Sequence, residues 1–136
     1  FCDSKMISHL TKINLIKHYI ENKKKEIELH NKSYKVSDSL INGRSLTNSG
    51  IFRIYIQEYL KKNININQEM TFLVRQLAPT KNGIPLEIYV FSNDTDWIKY
   101  EKIQSDIFDH LIAAVKEFDL NLFQDPSGLD FRGYSV

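Results

Sequence analysis

The stretch TKNGIPLEIYVFSNDTDWIKYEKIQSDIFDHLIAAVKEF, residues 80–118, constrains the fold more than any other part of the chain. Its apolar residues change period partway along. Leu86, Ile88 and Val90 alternate, as on a strand with one buried face. From Trp97 the apolar residues Trp97, Tyr100, Ile103, Ile107, Phe108, Leu111, Val115 and Phe118 recur at steps of one, three or four, as on one amphipathic helix. Thr95 or Asp94 is placed to cap that helix, with Asp96 in its positive first turn. A helix with so wide an apolar stripe has to cover a sheet. The Asn82-Gly83 pair ahead of the strand marks a hairpin tip, although the connection from Ala78 to Pro85 exceeds the two-residue loop for which Asn-Gly is diagnostic.

The partner strand lies just upstream. In EMTFLVRQL, Met70, Phe72 and Val74 share one face, and Thr71, Leu73 and Arg75 share the other. Before it, Ile51, Phe52, Tyr55, Ile56, Tyr59 and Leu60 form the stripe of a second helix. Asn48 or Ser49 can cap its start, and Lys61-Lys62-Asn63 ends it with cations suited to the negative helix terminus. Leu120 to Phe123 is a short edge-strand candidate, stopped by Asp125-Pro126-Ser127-Gly128. The order helix, strand, strand, helix, strand becomes two interlocked β-α-β units if one strand is added in front. The predicted class is therefore α+β, a ferredoxin-like α/β sandwich with an antiparallel sheet and two packing helices, lacking most of its first strand.

The N-terminal part adds a helix from Ser4 to Lys32. Asp3 or Ser4 caps it, and Met6, Ile7, Leu10, Ile13, Ile16, Tyr19 and Ile20 make one face apolar. Beyond Tyr19 the pairs Glu21 with Lys25 and Lys24 with Glu28 support a solvated end. Residues 33–48 read as a loop rich in Ser, Asn and Gly, with at most a short strand near Leu40-Ile41. The expected organisation is an inserted helical segment over 1–32, that loop, an α/β domain over 49–128 and a tail over 129–136.

Composition narrows the function. The 136 residues are 42% hydrophobic and carry a net charge of +1, with cations spread along the chain and clustered only at Lys23-Lys24-Lys25. Nothing there calls for nucleic acid, and a short lysine run on a helix is usually solvated. The single cysteine, Cys2, rules out an internal disulfide and fits a reducing compartment. No run reaches the ~18 apolar residues of a membrane helix, and there is no basic-then-apolar leader, so this part is expected to be soluble and cytosolic. The start at Phe1 in place of Met reads as a fragment of something longer, with room for a membrane part upstream.

Reactive constellations are sparse. Asp106, Asp109 and His110 share a helical side where a metal could bind, but a site needs ligands from a second element, so a solvated face is expected. His9, His18 and His30 lack carboxylates at ligand spacing and read as surface residues. Cys2 has only His9 as a conceivable base, and Ser127 reads as a turn residue. The five glycines form no phosphate loop. Tyr89 and Phe91 could stack bases on an open sheet; the expectation is that the inserted helix covers them. The sequence calls for no catalytic residue, cofactor, metal or small-molecule substrate.

Four separated motifs then carry a resemblance: Leu46-Thr47-Asn48, Val74-Arg75-Gln76-Leu77, Pro85-Leu86-Glu87-Ile88-Tyr89 and Asp106-Ile107-Phe108-Asp109-His110. In order and spacing they resemble the cytoplasmic C-terminal domain of bacterial mechanosensitive channels of the small-conductance (MscS-like) superfamily. The similarity runs from Gly43 to Gly128, and YIENKKKEIELHNK resembles an insertion of the miniconductance branch. The resemblance implies a subunit of a homo-oligomer, heptameric in the family, whose membrane helices lie upstream and which releases solutes during hypo-osmotic shock. It would sit in the bacterial inner membrane, with this part on the cytoplasmic side walling a chamber below the pore. Leu46, Thr47, Asn48, Gly50, Arg75, Pro79, Asn82, Gly83 and Pro85 are the expected packing and interface residues. The alternative is a ligand- or RNA-binding regulatory module of the same fold.

Overall fold

A computed structural model describes residues 1–33 and 42–126. The strand expected at Leu40-Ile41, the Ser127 turn and the tail lie outside the described residues. The described chain runs α1 (Ser4–Leu10), α2 (Lys17–Ser33), α3 (Asn48–Lys62), β1 (Ile66–Asn67), β2 (Leu73–Gln76), β3 (Leu86–Tyr89), β4 (Phe91–Ser92) and α4 (Trp97–Ala114), closed by a 3-10 turn at Val115–Phe118. It is α+β, with antiparallel strands and packing helices in ferredoxin-like order from α3 to α4.

The N-terminal helix is broken, contrary to the single helix expected over Ser4–Lys32. Asp3 caps α1 by accepting a hydrogen bond from the Met6 amide at 2.7 Å. The chain then tightens, with Lys12 N–H donating to His9 O and Ile13 N–H to Leu10 O at 3.1 Å each. The Thr11 hydroxyl donates to Ile7 O at 2.6 Å, a bond that bends helices. Packing explains the break. On a straight helix, at about 100° per residue, Leu10 and Ile16 would point about 120° apart, yet both, with Ile20, are wholly buried in one core. Along α2 the ion pairs also differ from those expected: Lys23 meets Glu26 at 2.8 Å, and His18 stands 3.8 Å from Glu21.

Thr47, not Asn48 or Ser49, caps α3, its hydroxyl accepting from Gly50 N–H at 3.2 Å. Asp96, not Thr95 or Asp94, caps α4 by accepting from Lys99 N–H at 3.1 Å. Ile51, Phe52, Tyr55, Ile56 and Leu60 are buried along α3 as their spacing predicts. They pack on Ile107, Leu111, Val115 and Phe118. The Phe118 ring lies 4.9 Å from that of Phe52 and 5.2 Å from that of Tyr55.

The sheet is two short antiparallel ladders, Ile66↔Ser92 with Asn67↔Phe91, and Leu73↔Tyr89 through Gln76↔Leu86. Only Val90 separates β3 from β4, whereas residues 68–72 separate β1 from β2. The longer side bulges because the Asn67 side chain accepts from the amides of Glu69 and Met70, turning the chain out of the ladder. Met70 and Phe72 therefore precede the strand they were expected to join. Leu120–Phe123 is irregular chain rather than an edge strand. Among the described residues no helix is long and apolar enough to cross a membrane.

Candidate assembly surface

Two groups of expected interface residues fall in two places. Leu46, Thr47, Asn48 and Gly50 sit at the start of α3, which is tied to Cys2 on one side and to the turn after the 3-10 segment on the other. Leu46 is buried, and its carbonyl accepts from Cys2 N–H at 2.9 Å. The Asn48 amide donates to Phe118 O at 3.1 Å and Asp119 O at 3.2 Å. Asp119 is left-handed (φ 52°), so Asn48 fastens the turn that ends the 3-10 segment. A Cβ at Gly50 would stand 2.8 Å from the Thr47 hydroxyl that caps the helix, so a side chain there has to shift the cap. This group is a packing knot.

The other group belongs to the hairpin. Its tip is the turn Thr80-Lys81-Asn82-Gly83, where Thr80 N–H donates to Gly83 O at 2.8 Å and Gly83 N–H returns to Thr80 O at 3.1 Å. Gly83 has φ +116°, a conformation side chains resist. Asn82-Gly83 thus ends the hairpin as the sequence predicts, with Pro79 exposed beside it and Pro85 bonded through its carbonyl to Leu77 N–H. Arg75 lies on the outer sheet face, its Nε donating to Glu87 across the ladder at 2.8 Å.

Asn82, Gly83 and Pro85 of the hairpin, Phe108 and Ile112 of α4, and Leu122 and Phe123 line one cleft of about 600 Å³. Helical spacing assigns Phe108 to the buried stripe, but it is 51% exposed, and Ile112 is 53% exposed. Trp97 and Tyr100 of the same expected stripe are also exposed. A signal for this exists in the sequence: α4 carries a further apolar pair, Phe108 and Ile112, four residues apart beside the buried row Ile107, Leu111 and Val115. An arc that wide exceeds what one core needs.

The outer sheet face is likewise open. Tyr89 is half exposed, its ring edge-on to Phe91 at 5.5 Å. The inserted helices do not cover this pair as expected; α1 lies against the 3-10 turn instead.

Reactive groups are engaged elsewhere. His110 faces the Tyr55 hydroxyl at 2.7 Å and stacks on Tyr59 with centroids 4.1 Å apart, joining α4 to α3. Burial pushes both phenols above their usual pKa, with Asp106 adding to the effect at Tyr59. Asp106 pairs with Lys102 at 2.7 Å, and His9 meets Glu117 at 3.0 Å. Burial also raises the Cys2 thiol, the opposite of what a nucleophile requires. Among the described residues no three His, Cys, Asp or Glu side chains converge as for a metal.

This ferredoxin-like block leaves apolar surface at its hairpin tip and on the outer side of its long helix. The family model described as "Mechanosensitive ion channel MscS, C-terminal" matches residues 52–122, more than half of the chain and nearly the whole of α3 through the irregular segment after α4. The chain belongs to this family. No solved structure matches it.

Proposed function

We propose that this chain is the cytoplasmic part of a mechanosensitive channel of the miniconductance branch, walling a chamber below the pore in a homo-oligomer, heptameric by family resemblance. The membrane helices lie upstream, in the bacterial inner membrane, and the channel releases solutes on hypo-osmotic shock. Residues 49–128 form the wall unit and 1–32 the insertion. The carrying observation is the coincidence of the family match with the unit that leaves Ile84, Phe108, Ile112, Leu122 and Phe123 about half exposed. Such a cluster on one domain favours contact with a neighbouring subunit. Stiff blocks in a ring leave side openings that filter solutes by size and charge. Tension acts upstream, and contacts among these blocks bias closed against open states.

The test is the full-length protein in a channel-deficient bacterium. Survival of hypo-osmotic shock and tension-activated currents without added ligand are expected. Phe108→Asp with Ile112→Asp should weaken assembly or alter inactivation and leave unitary conductance nearly unchanged. Currents that require a soluble ligand, or none despite membrane insertion, would favour the regulatory-module reading.

A further inference from the structure

The break between α1 and α2 opens a cleft of about 590 Å³, lined by Ser4, Ile7, Ser8, Thr11, Lys12, Asn14, Lys17 and Lys24. We propose that this cleft binds a phosphate group, carried by free phosphate or by a lipid headgroup. The residues fall into two rows. Ser4 and Ser8 of α1 and its C-cap Thr11 follow one another at steps of four and three, so they fall on one side of that helix. Lys17 and Lys24 are seven residues apart on α2, about 10 Å along its axis, and Lys12 joins them from the turn between the helices. Hydroxyl donors from α1 and its cap and amines from the turn and α2 thus line one cleft.

The donors are available. Lys12, Lys17 and Lys24 make no ion pair, and the side chains of Ser4, Ser8 and Asn14 no hydrogen bond, with any described residue. Only Thr11 is committed, its hydroxyl proton going to Ile7 O. No carboxylate lines the cleft. Of the nearby acids, Glu21 stands by His18, Glu26 takes Lys23 and stands 3.6 Å from Arg44, Asp3 caps α1, and Glu28, one turn beyond Lys24, forms no ion pair with it. An acceptor-only, negatively charged ligand is what unpaired ammonium, hydroxyl and amide donors select. Phosphate fits that description, and Lys binds it as a point charge without the planar fork a carboxylate would match. The run Lys23-Lys24-Lys25 is thereby divided: Lys23 is neutralised on α2, and Lys24 turns into the cleft. The site does not depend on the channel reading, since it lies outside the matched residues 52–122.

The experiment follows amide shifts of the chain by NMR as inorganic phosphate is added, with chloride at equal ionic strength as reference. Shifts centred on residues 8–17 and lost in the Lys12→Gln, Lys17→Gln, Lys24→Gln variant are expected, with Lys25→Gln unchanged. Each lysine removed should weaken binding about fivefold, the effect of one cation near an anionic surface. All four positions are exposed, so an unchanged melting temperature verifies folding. Co-sedimentation with phosphatidylcholine vesicles, with and without phosphatidylglycerol, separates the sources. Binding only to the anionic vesicles assigns a headgroup; phosphate shifts without sedimentation assign the free ion. No response to either probe, a response chloride reproduces, or one the triple variant retains overturns the proposal. Tighter binding of single-stranded RNA through the same lysines overturns it in favour of a nucleic-acid site.

Discussion

Ile107 and Leu111 on α4 are almost inaccessible, while Phe108 and Ile112, one residue further round the same helix, are half exposed. The residue types are alike and the backbone is one helix, so intrinsic preference does not separate the pairs. Coverage separates them. The inner row, Ile107 and Leu111, is buried in the core with α3; the outer row, Phe108 and Ile112, stays half exposed along the cleft that Leu111 also borders. The inner row specifies the fold, and the outer row is surface that the chain by itself leaves unsatisfied.

The sharpest way to break this comparison is to truncate one ring on each side. Phe118 is fully buried against Phe52 and Tyr55. Phe118→Ala should lower stability by about 3–5 kcal/mol, the usual cost of emptying an aromatic site, and Phe108→Ala by under about 1 kcal/mol in the isolated chain. Chemical denaturation of both variants measures this. Equal losses would mean that the outer row is also core.

Next in size is Gly50→Leu, where a Cβ meets the capping Thr47 hydroxyl at 2.8 Å. Displacing the cap and overpacking the knot should cost about 1–3 kcal/mol. An unchanged melting temperature would show that the knot yields freely and is no part of the fixed interior.

How legible this interior is in the sequence depends on the range of the interactions. The α3 row Ile51, Phe52, Tyr55, Ile56 and Leu60 and the register face of Val74 follow from periodicity, because a local period reports which side is buried. The Asn82-Gly83 tip follows from local turn chemistry. The break at residues 11–16 does not, since it is set by where Leu10 and Ile16 meet a distant core. Asp3 caps α1 as expected, whereas the caps of α3 and α4 differ by one or two residues from those expected because Thr, Asn, Ser and Asp all serve and geometry chooses among them. Phe108 falls on the other side of the boundary because the apolar arc that includes Ile112 is wider than one core fills, and spacing alone does not say which edge of the arc is left out. The cleft needs three remote segments brought together, and no local pattern encodes that.

A smaller effect probes the α3–α4 seam through pH. Burial raises Tyr55 from its ordinary value of 10.0, and Tyr59 likewise. With the folded pKa above the unfolded one, the unfolded chain ionises first as pH rises. The stabilisation is complete below pH 10 and is lost as pH climbs through the folded pKa. Tyr55→Phe should flatten the fall in melting temperature above about pH 10 while leaving the acid limb alone. A variant with the same alkaline slope would place the loss elsewhere.

The smallest effect carries the comparison to the outer sheet face. Arg75 and Glu87 are a cross-strand pair at 2.8 Å with the Arg75 side chain 53% exposed. In the isolated chain a double-mutant cycle should give about 0.2–1 kcal/mol, as for other exposed pairs, falling with added salt. In the proposed assembly the outcome depends on what lies over Leu73, Arg75 and Tyr89. If a neighbouring subunit covers them, the pair loses its water, and removing Arg75 alone leaves a buried carboxylate that costs about 2–5 kcal/mol. Arg75→Ala should then release subunits at concentrations where Arg75→Ala with Glu87→Ala still assembles, a difference that sedimentation of the purified channel would reveal. Equal assembly of both variants would leave this face in water and confine the contact to the cleft side of α4.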